Sequence, residues 1–184
     1  ALEIISSREE AELALAGCAP LLDPAKPYAL VFDIGGGSTE LLWLSFGPDR
    51  TPRLIDWMSL PYGVVGLAAR QIATASLASW YEEVADEVAG LLAPFEARHG
   101  ISRKIADGAV QMLGSSGTVT TLAGVHFDLP RYDRSYVDGS YLDFADIDRV
   151  SRRLAGLTGE GRAAQPCIGR ERADLVVVDG AARR

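Results

Sequence analysis

The chain carries Asp33-Ile34-Gly35-Gly36-Gly37-Ser38-Thr39-Glu40 between two apolar runs, Tyr28–Ile34 and 38–46. Three consecutive glycines are costly inside a helix or a strand, so this stretch predicts strand, glycine turn, strand. With every Cβ removed, the backbone of the bend can take positive φ and bring its N–H groups close to an anion. Ser38 and Thr39 add hydroxyl donors, which makes Gly35, Gly36, Gly37, Ser38 and Thr39 a candidate phosphate-binding loop. Asp33, at the end of the first strand, offers hard oxygen ligands suited to Mg²⁺ or an ordered water. Glu40 lies one residue beyond Thr39, where it can turn back into the same cleft. The lysine and trailing helix of a nucleotide P-loop are both missing. The dinucleotide fingerprint is excluded because a strand follows the glycines. The competing reading is a tight hairpin whose glycines serve the bend alone.

A second glycine cluster, Gly114-Ser115-Ser116-Gly117-Thr118, follows the short apolar run 109–113. It offers amides and three hydroxyls at a possible helix N-terminus, where the macrodipole favours anions. By itself this is as consistent with an ordinary turn as with a phosphate site. Glu9 and Glu10 form a third acidic feature. Ser7 and Glu10 have the spacing of a capping box, so helix chemistry alone can explain Glu10. His99 and His126 are isolated from any nucleophile, and His99 reads as a structural residue near a helix end.

Elsewhere the pattern predicts a helix from Ser6 or Ser7 to Gly17, after a scrap of strand at 3–5. A third strand runs over 53–60, and a short helix over 65–72. The clearest helix follows, with Leu77, Trp80, Tyr81, Val84, Val88, Leu91, Leu92 and Phe95 at three- and four-residue steps. Ser76 can cap it and Gly100 can end it. After the second glycine cluster a helix or strand reaches Val125, 129–139 reads as loop, and a helix capped by Asp143 spans Phe144 to Leu154. The run 173–178 fits either a strand or the start of a helix. The fold class expected is α/β, a mixed sheet with helices packed on it, in a single domain over 1–184.

The chain has 184 residues, 48% of them hydrophobic, which is too apolar for disorder and enough for one substantial core. The longest apolar stretches stop short of the ~18 residues a membrane span needs. No segment of signal-peptide type opens the sequence, so a cytoplasmic location is the expectation. A formal net charge of −7 argues against nucleic acid or an anionic membrane as partner. A phosphate ligand must then be held locally, by backbone amides or a metal ion. Cys18 and Cys167 have no metal-ligand spacing and read as small buried hydrophobes.

Four segments occur in one order: IISSREEAEL at 4–13, DIGGGSTEL at 33–41, SLPYGVVG at 59–66 and LGSSGTVTTL at 113–122. This order resembles the exopolyphosphatase / guanosine pentaphosphate phosphohydrolase family of the actin-like ATPase superfamily, whose domains are ribonuclease H-like. The resemblance implies two similar domains with the active site in the cleft between them. The chain resembles the second domain only, as a fragment truncated at both ends. The Asp-Gly-Ser-Asn-Ser type loop of the family's first domain does not occur in it.

The resemblance further implies that Glu10 is the general base. Asp33 and Glu40 would organise Mg²⁺ and the attacking water, with Glu40 also counted as catalytic. Gly35, Gly36, Gly37, Ser38 and Thr39 would form the phosphate loop, and Gly114, Ser115, Ser116, Gly117 and Thr118 a second one. The implied substrates are inorganic polyphosphate or guanosine pentaphosphate, and the implied partners a companion N-terminal domain and a second copy of the chain. Where the family has Ser-Gly before the glutamates, this sequence has Ser6-Ser7. Two other readings stay open: an ATP-binding, kinase-like relative, and a non-catalytic module that binds phosphate ligands.

Overall fold

The computed structural model describes residues 5–72, 77–169 and 173. Its centre is a four-stranded mixed sheet in the order β3-β2-β1-β4. Strand β1 (Tyr28–Ile34) pairs antiparallel with β2 (Thr39–Phe46), and β2 antiparallel with β3 (Pro52–Leu60). After a helical crossover the chain returns as β4 (Val110–Ser115), parallel to β1. Strand β1 is covered on both faces, which accounts for its nearly continuous apolar run. The parallel pair β1 and β4 place their carboxyl ends side by side, the usual position for a ligand site in such sheets.

The helix α1 (Ser7–Cys18) packs on one face, where Ala11, Cys18 and Leu22 meet Ala29, Val31, Leu42 and Leu44. The helices α2 (Val64–Ile72) and α3 (Leu77–His99) cover the other. There Leu67, Trp80, Val84, Val88 and Phe95 bury Leu30, Leu41, Trp43 and Leu60. The short helix α4 (Ile101–Ala106) adds Ile101 to the same core. After β4, α5 (Ser116–His126) packs its Leu122 and Val125 against Val150 and Leu154 of α7 (Phe144–Ala155).

The strands lie where the apolar runs put them, and α5 resolves the open choice after the second glycine cluster as helix. Gly100 ends α3 with a φ of 57°. The structure differs from these expectations at four places. The run 129–139 is not loop throughout, because α6 (Arg134–Val137), capped by the Asp133 side chain, interrupts it. Helices α4, α6 and α8 (Gly159–Ala163) are too short to show a 3.6-residue period. Asp143 occupies the N-cap of α7 without a side-chain cap hydrogen bond. Ile5 is not in a strand. Residues 3–4, the Ser76 cap and the run 174–178 lie outside the described residues.

Candidate active site

The tri-glycine segment forms the turn between β1 and β2, closed by a bond from the Gly35 amide to the Ser38 carbonyl at 2.9 Å. None of Gly35, Gly36 and Gly37 has a φ in the left-handed region, so the expected positive φ is not what the turn uses. What the glycines provide is bare main chain. Gly36 and Gly37 are exposed, and a Cβ on Gly37 would meet nothing within 4 Å. The fold therefore gives no packing reason for glycine at 37. The carbonyls of Gly35 and Gly36 accept from Val64 and Val65 in the first turn of α2, both at 3.0 Å. That docking fixes the bend with its carbonyls toward α2. The amides of Gly36, Gly37 and Ser38 form no hydrogen bond among the described residues.

The Thr39 side chain is buried and its hydroxyl donates to the Tyr62 carbonyl at 2.6 Å. It anchors the bend and is not presented to a ligand. Tyr62 is held in turn, since its hydroxyl donates to Glu87 at 2.6 Å while Arg70 grips the same carboxylate with two bonds of 3.0 Å. The Arg70 guanidinium, followed by the Tyr62 hydroxyl, holds the Glu87 carboxyl below its ordinary range.

The acids flanking the bend are cross-strand partners. Asp33 opposes Glu40 in the β1–β2 register, so their Cβ atoms stand about 4.5–5.5 Å apart on one face of the sheet. It is the face on which α1 packs. Neither forms an ion pair with a described residue, and two like charges in this relation are destabilising without a counterion. Asp33 Oδ2 accepts from Ser115 Oγ at 2.8 Å, and Glu40 Oε1 accepts from Ser59 Oγ at 3.0 Å. The second oxygen of each carboxylate has no partner among the described residues.

Beside Asp33 and Ser115 lies the buried Cys18, a free thiol. Burial pushes it up from its ordinary pKa and the Asp33 charge adds to that, while the Ser115 hydroxyl works the other way. Cys167 is also a free thiol, pushed up by its own burial.

The β4–α5 junction adds the second glycine cluster at the same end of the sheet, since Ser115 opposes Asp33 in the parallel register. Gly114 has a packing reason: a Cβ there would stand 2.7 Å from the Phe32 ring. Ser116 takes a φ of 78°, unusual for a residue with a side chain, and its hydroxyl donates to the Ile34 carbonyl at 2.7 Å. This bond ties the start of α5 to the end of β1. The first turn of α5 has no side-chain cap, so Gly117 and Thr118 stand at an open helix N-terminus. The cluster thus divides, with Gly114, Ser115 and Ser116 engaged in the fold and Gly117 and Thr118 open.

The capping box of α1 falls one residue earlier than the spacing of Ser7 and Glu10 predicts. Ser6 is the extended N-cap and accepts from the Glu9 amide, and Glu9 reaches back to the Ser6 amide at 2.8 Å. The Ser6 hydroxyl, then its amide, lower the Glu9 carboxyl. Glu10 is thereby released from capping. It is exposed, with no side-chain partner among the described residues, next to Ala11, which is fully buried against the sheet. No group of three or more His, Cys, Asp and Glu side chains that could hold one ion occurs among the described residues. The arrangement therefore brings two carboxylates together, not three.

Sequence reasoning quoted Ser59 and Tyr62 within SLPYGVVG without giving either a role and missed Glu87 and Arg70, because the bonds these residues make reach across distant stretches of chain. His99 behaves as expected of a structural residue, bonded to Asp56 at 2.8 Å and set edge-on to Phe95.

Several solved structures share this architecture. An exopolyphosphatase-like protein is 27% identical, with a TM-score of 0.75 over 98% of this chain and 56% of that one. The Aquifex aeolicus member of the Ppx/GppA family is 22% identical, with a TM-score of 0.76 over 98% and 54%. An exopolyphosphatase from Cytophaga hutchinsonii is 22% identical, with a TM-score of 0.66 over 97% and 55%. The fold is that of the actin-like ATPases. Within that class, a family model described as the Ppx/GppA phosphatase family matches residues 1–182, and the chain belongs to this family. Exopolyphosphatase 2 of Mycobacterium tuberculosis is 30% identical over 176 residues, 96% of this chain and 52% of that protein. The chain thus spans about half the length of the curated relatives it matches. No helix among the described residues is long and apolar enough to cross a membrane.

Proposed function

We propose that the chain forms one wall of an active site that hydrolyses the terminal phosphoanhydride bond of a polyphosphate. Inorganic polyphosphate or guanosine pentaphosphate is the substrate, and a companion N-terminal domain of the same protein is the other wall. One observation carries the reading. Asp33 and Glu40 oppose each other without an ion-pair partner among the described residues, one ladder position below a bend whose Gly36, Gly37 and Ser38 amides make no hydrogen bond there. Free amides beside two carboxylates that each keep one unpartnered oxygen suit an anion bound together with a cation, and suit neither alone.

The donor set fits Mg²⁺, which is commonly held by one or two carboxylates, waters and substrate phosphate oxygens. Asp33 and Glu40 would hold it through their spare oxygens, and when bound it would neutralise charge on the phosphate undergoing attack. The amides of Gly36, Gly37 and Ser38 would bind the terminal phosphate, with Gly117 and Thr118 at the α5 N-terminus facing the same oxygens. Glu10 would take a proton from the water whose oxygen attacks the terminal phosphorus. The anhydride P–O bond then breaks, and orthophosphate leaves with the shortened chain as the other product. That Glu10 is exposed and free of capping duty favours this role over a structural one.

The test is orthophosphate release from inorganic polyphosphate and, separately, from guanosine pentaphosphate by the full-length protein. Glu10→Gln should lower turnover by about 10²–10⁴-fold. An unchanged rate would remove Glu10 as the base. Residues 1–184 alone should turn over far more slowly, and turnover matching the full-length protein would refute the need for a second wall.

A further inference from the structure

We infer that Ser59 and Ser115 are positioning residues that aim Glu40 and Asp33 at a shared divalent cation, an inference that rests on the metal-assisted reading above. The register places four residues in one row across all four strands. Ser59 opposes Glu40, Glu40 opposes Asp33, and Asp33 opposes Ser115. The hydroxyls occupy the outer positions and the acids the inner ones. Each serine takes one oxygen of its neighbouring acid, Glu40 Oε1 at 3.0 Å and Asp33 Oδ2 at 2.8 Å. The arrangement is the same on both sides of the pair, although β3 is antiparallel to its neighbour and β4 parallel.

A serine hydroxyl has one proton to donate. Here that proton is spent on a carboxylate and is not available to a phosphate. A carboxylate fixed through one oxygen presents the other in a set direction, and both remaining oxygens lack a partner among the described residues. Ser115, to which the family resemblance gives a place in the second phosphate loop, thus acts through Asp33, and Ser59 is its counterpart on the opposite edge of the sheet. Hydrogen bonds of this kind to metal-ligating groups are worth about 10–100-fold in metal affinity.

The experiment is Mn²⁺ binding to the full-length protein without substrate, followed by electron paramagnetic resonance, for Ser59→Ala, Ser115→Ala and the corresponding threonine variants. Each alanine variant should bind Mn²⁺ at least about 10-fold more weakly. Each threonine variant, which keeps the hydroxyl, should recover part of the loss. In steady state the Mg²⁺ concentration for half-maximal rate should rise by the same factor, with kcat at saturating Mg²⁺ largely retained. Alanine variants that bind Mn²⁺ as tightly as the parent would overturn the inference while leaving the hydrolytic reading standing. A parent that binds no Mn²⁺ and hydrolyses polyphosphate without a divalent cation would overturn both. Should an alanine variant not fold, Ser115→Cys and Ser59→Cys replace it. These keep the size and weaken the donor, and unchanged Mn²⁺ affinity in them would count equally against the inference.

Discussion

Gly63 packs so tightly on the tri-glycine bend that a Cβ added to it would stand 2.3 Å from the Gly36 carbonyl oxygen. Gly37, one residue along, has open space where its Cβ would be. The two glycines therefore answer to different demands, and substitution separates them. Gly63→Ala should destabilise the protein by roughly 1–3 kcal/mol, because backbone has to move. Gly37→Ala should leave stability unchanged or raise it by about 0.4–1 kcal/mol, since its φ lies outside the left-handed region and its Cβ would meet open space. If Gly37 is glycine so that a phosphate can approach, the same substitution should weaken phosphate-ligand binding. Urea unfolding together with tripolyphosphate titration checks both halves.

The adjacent glutamates of α1 should likewise part company. Glu9 closes the capping box with Ser6, so Glu9→Ala should lower Tm slightly and leave turnover of the full-length protein nearly intact. Glu10→Gln should do the reverse, with Tm held and turnover lost. Melting curves and phosphate release on the same two preparations decide it. A variant pair in which Glu9 carries the activity would move the base by one residue.

The pair Asp56–His99 ties β3 to the end of α3 at 2.8 Å, with Arg98 at 3.3 Å from the same carboxylate. The His99 hydrogen bond is the main cause that lowers the Asp56 carboxyl. A carboxyl lowered in the folded state is bound by fewer protons there than in the unfolded chain. Its stabilisation is therefore present above about pH 4 and disappears as the pH falls through the folded value. Because Asp56 is about a third exposed, the effect is at most about 1 kcal/mol. Asp56→Asn should be less stable than the parent at pH 7, and the gap should close toward pH 3. Urea midpoints at the two pH values measure it, and a gap that widens toward acid would contradict the sign.

Much of the site is legible in the sequence because its parts are local. The bend, its flanking acids and the cluster at the β4–α5 junction each occupy a few consecutive residues with a composition that ordinary turns do not need. What is not legible is pairing at a distance. Ser59 reaches Glu40 across 19 residues of chain, and Ser115 reaches Asp33 across 82, both through strand register that no local pattern reports. The tandem Ser6-Ser7 and Glu9-Glu10 allow two capping boxes of identical spacing, and only the extended backbone of Ser6 chooses between them. The glycine turn itself is correctly placed by composition, but composition reports neither that its φ angles avoid the left-handed region nor that its carbonyls dock on α2.

The central claim is that bare main-chain amides and two opposed acids grip the end of a phosphate chain together. Amide chemical shifts of the full-length protein, recorded by ¹H–¹⁵N correlation during titration with tripolyphosphate, read this directly. With Mg²⁺ present, the signals of Gly36, Gly37 and Ser38 should move and saturate together. Asp33→Asn or the omission of Mg²⁺ should suppress the response. Signals at those three residues that stay fixed while tripolyphosphate binds elsewhere would contradict the account.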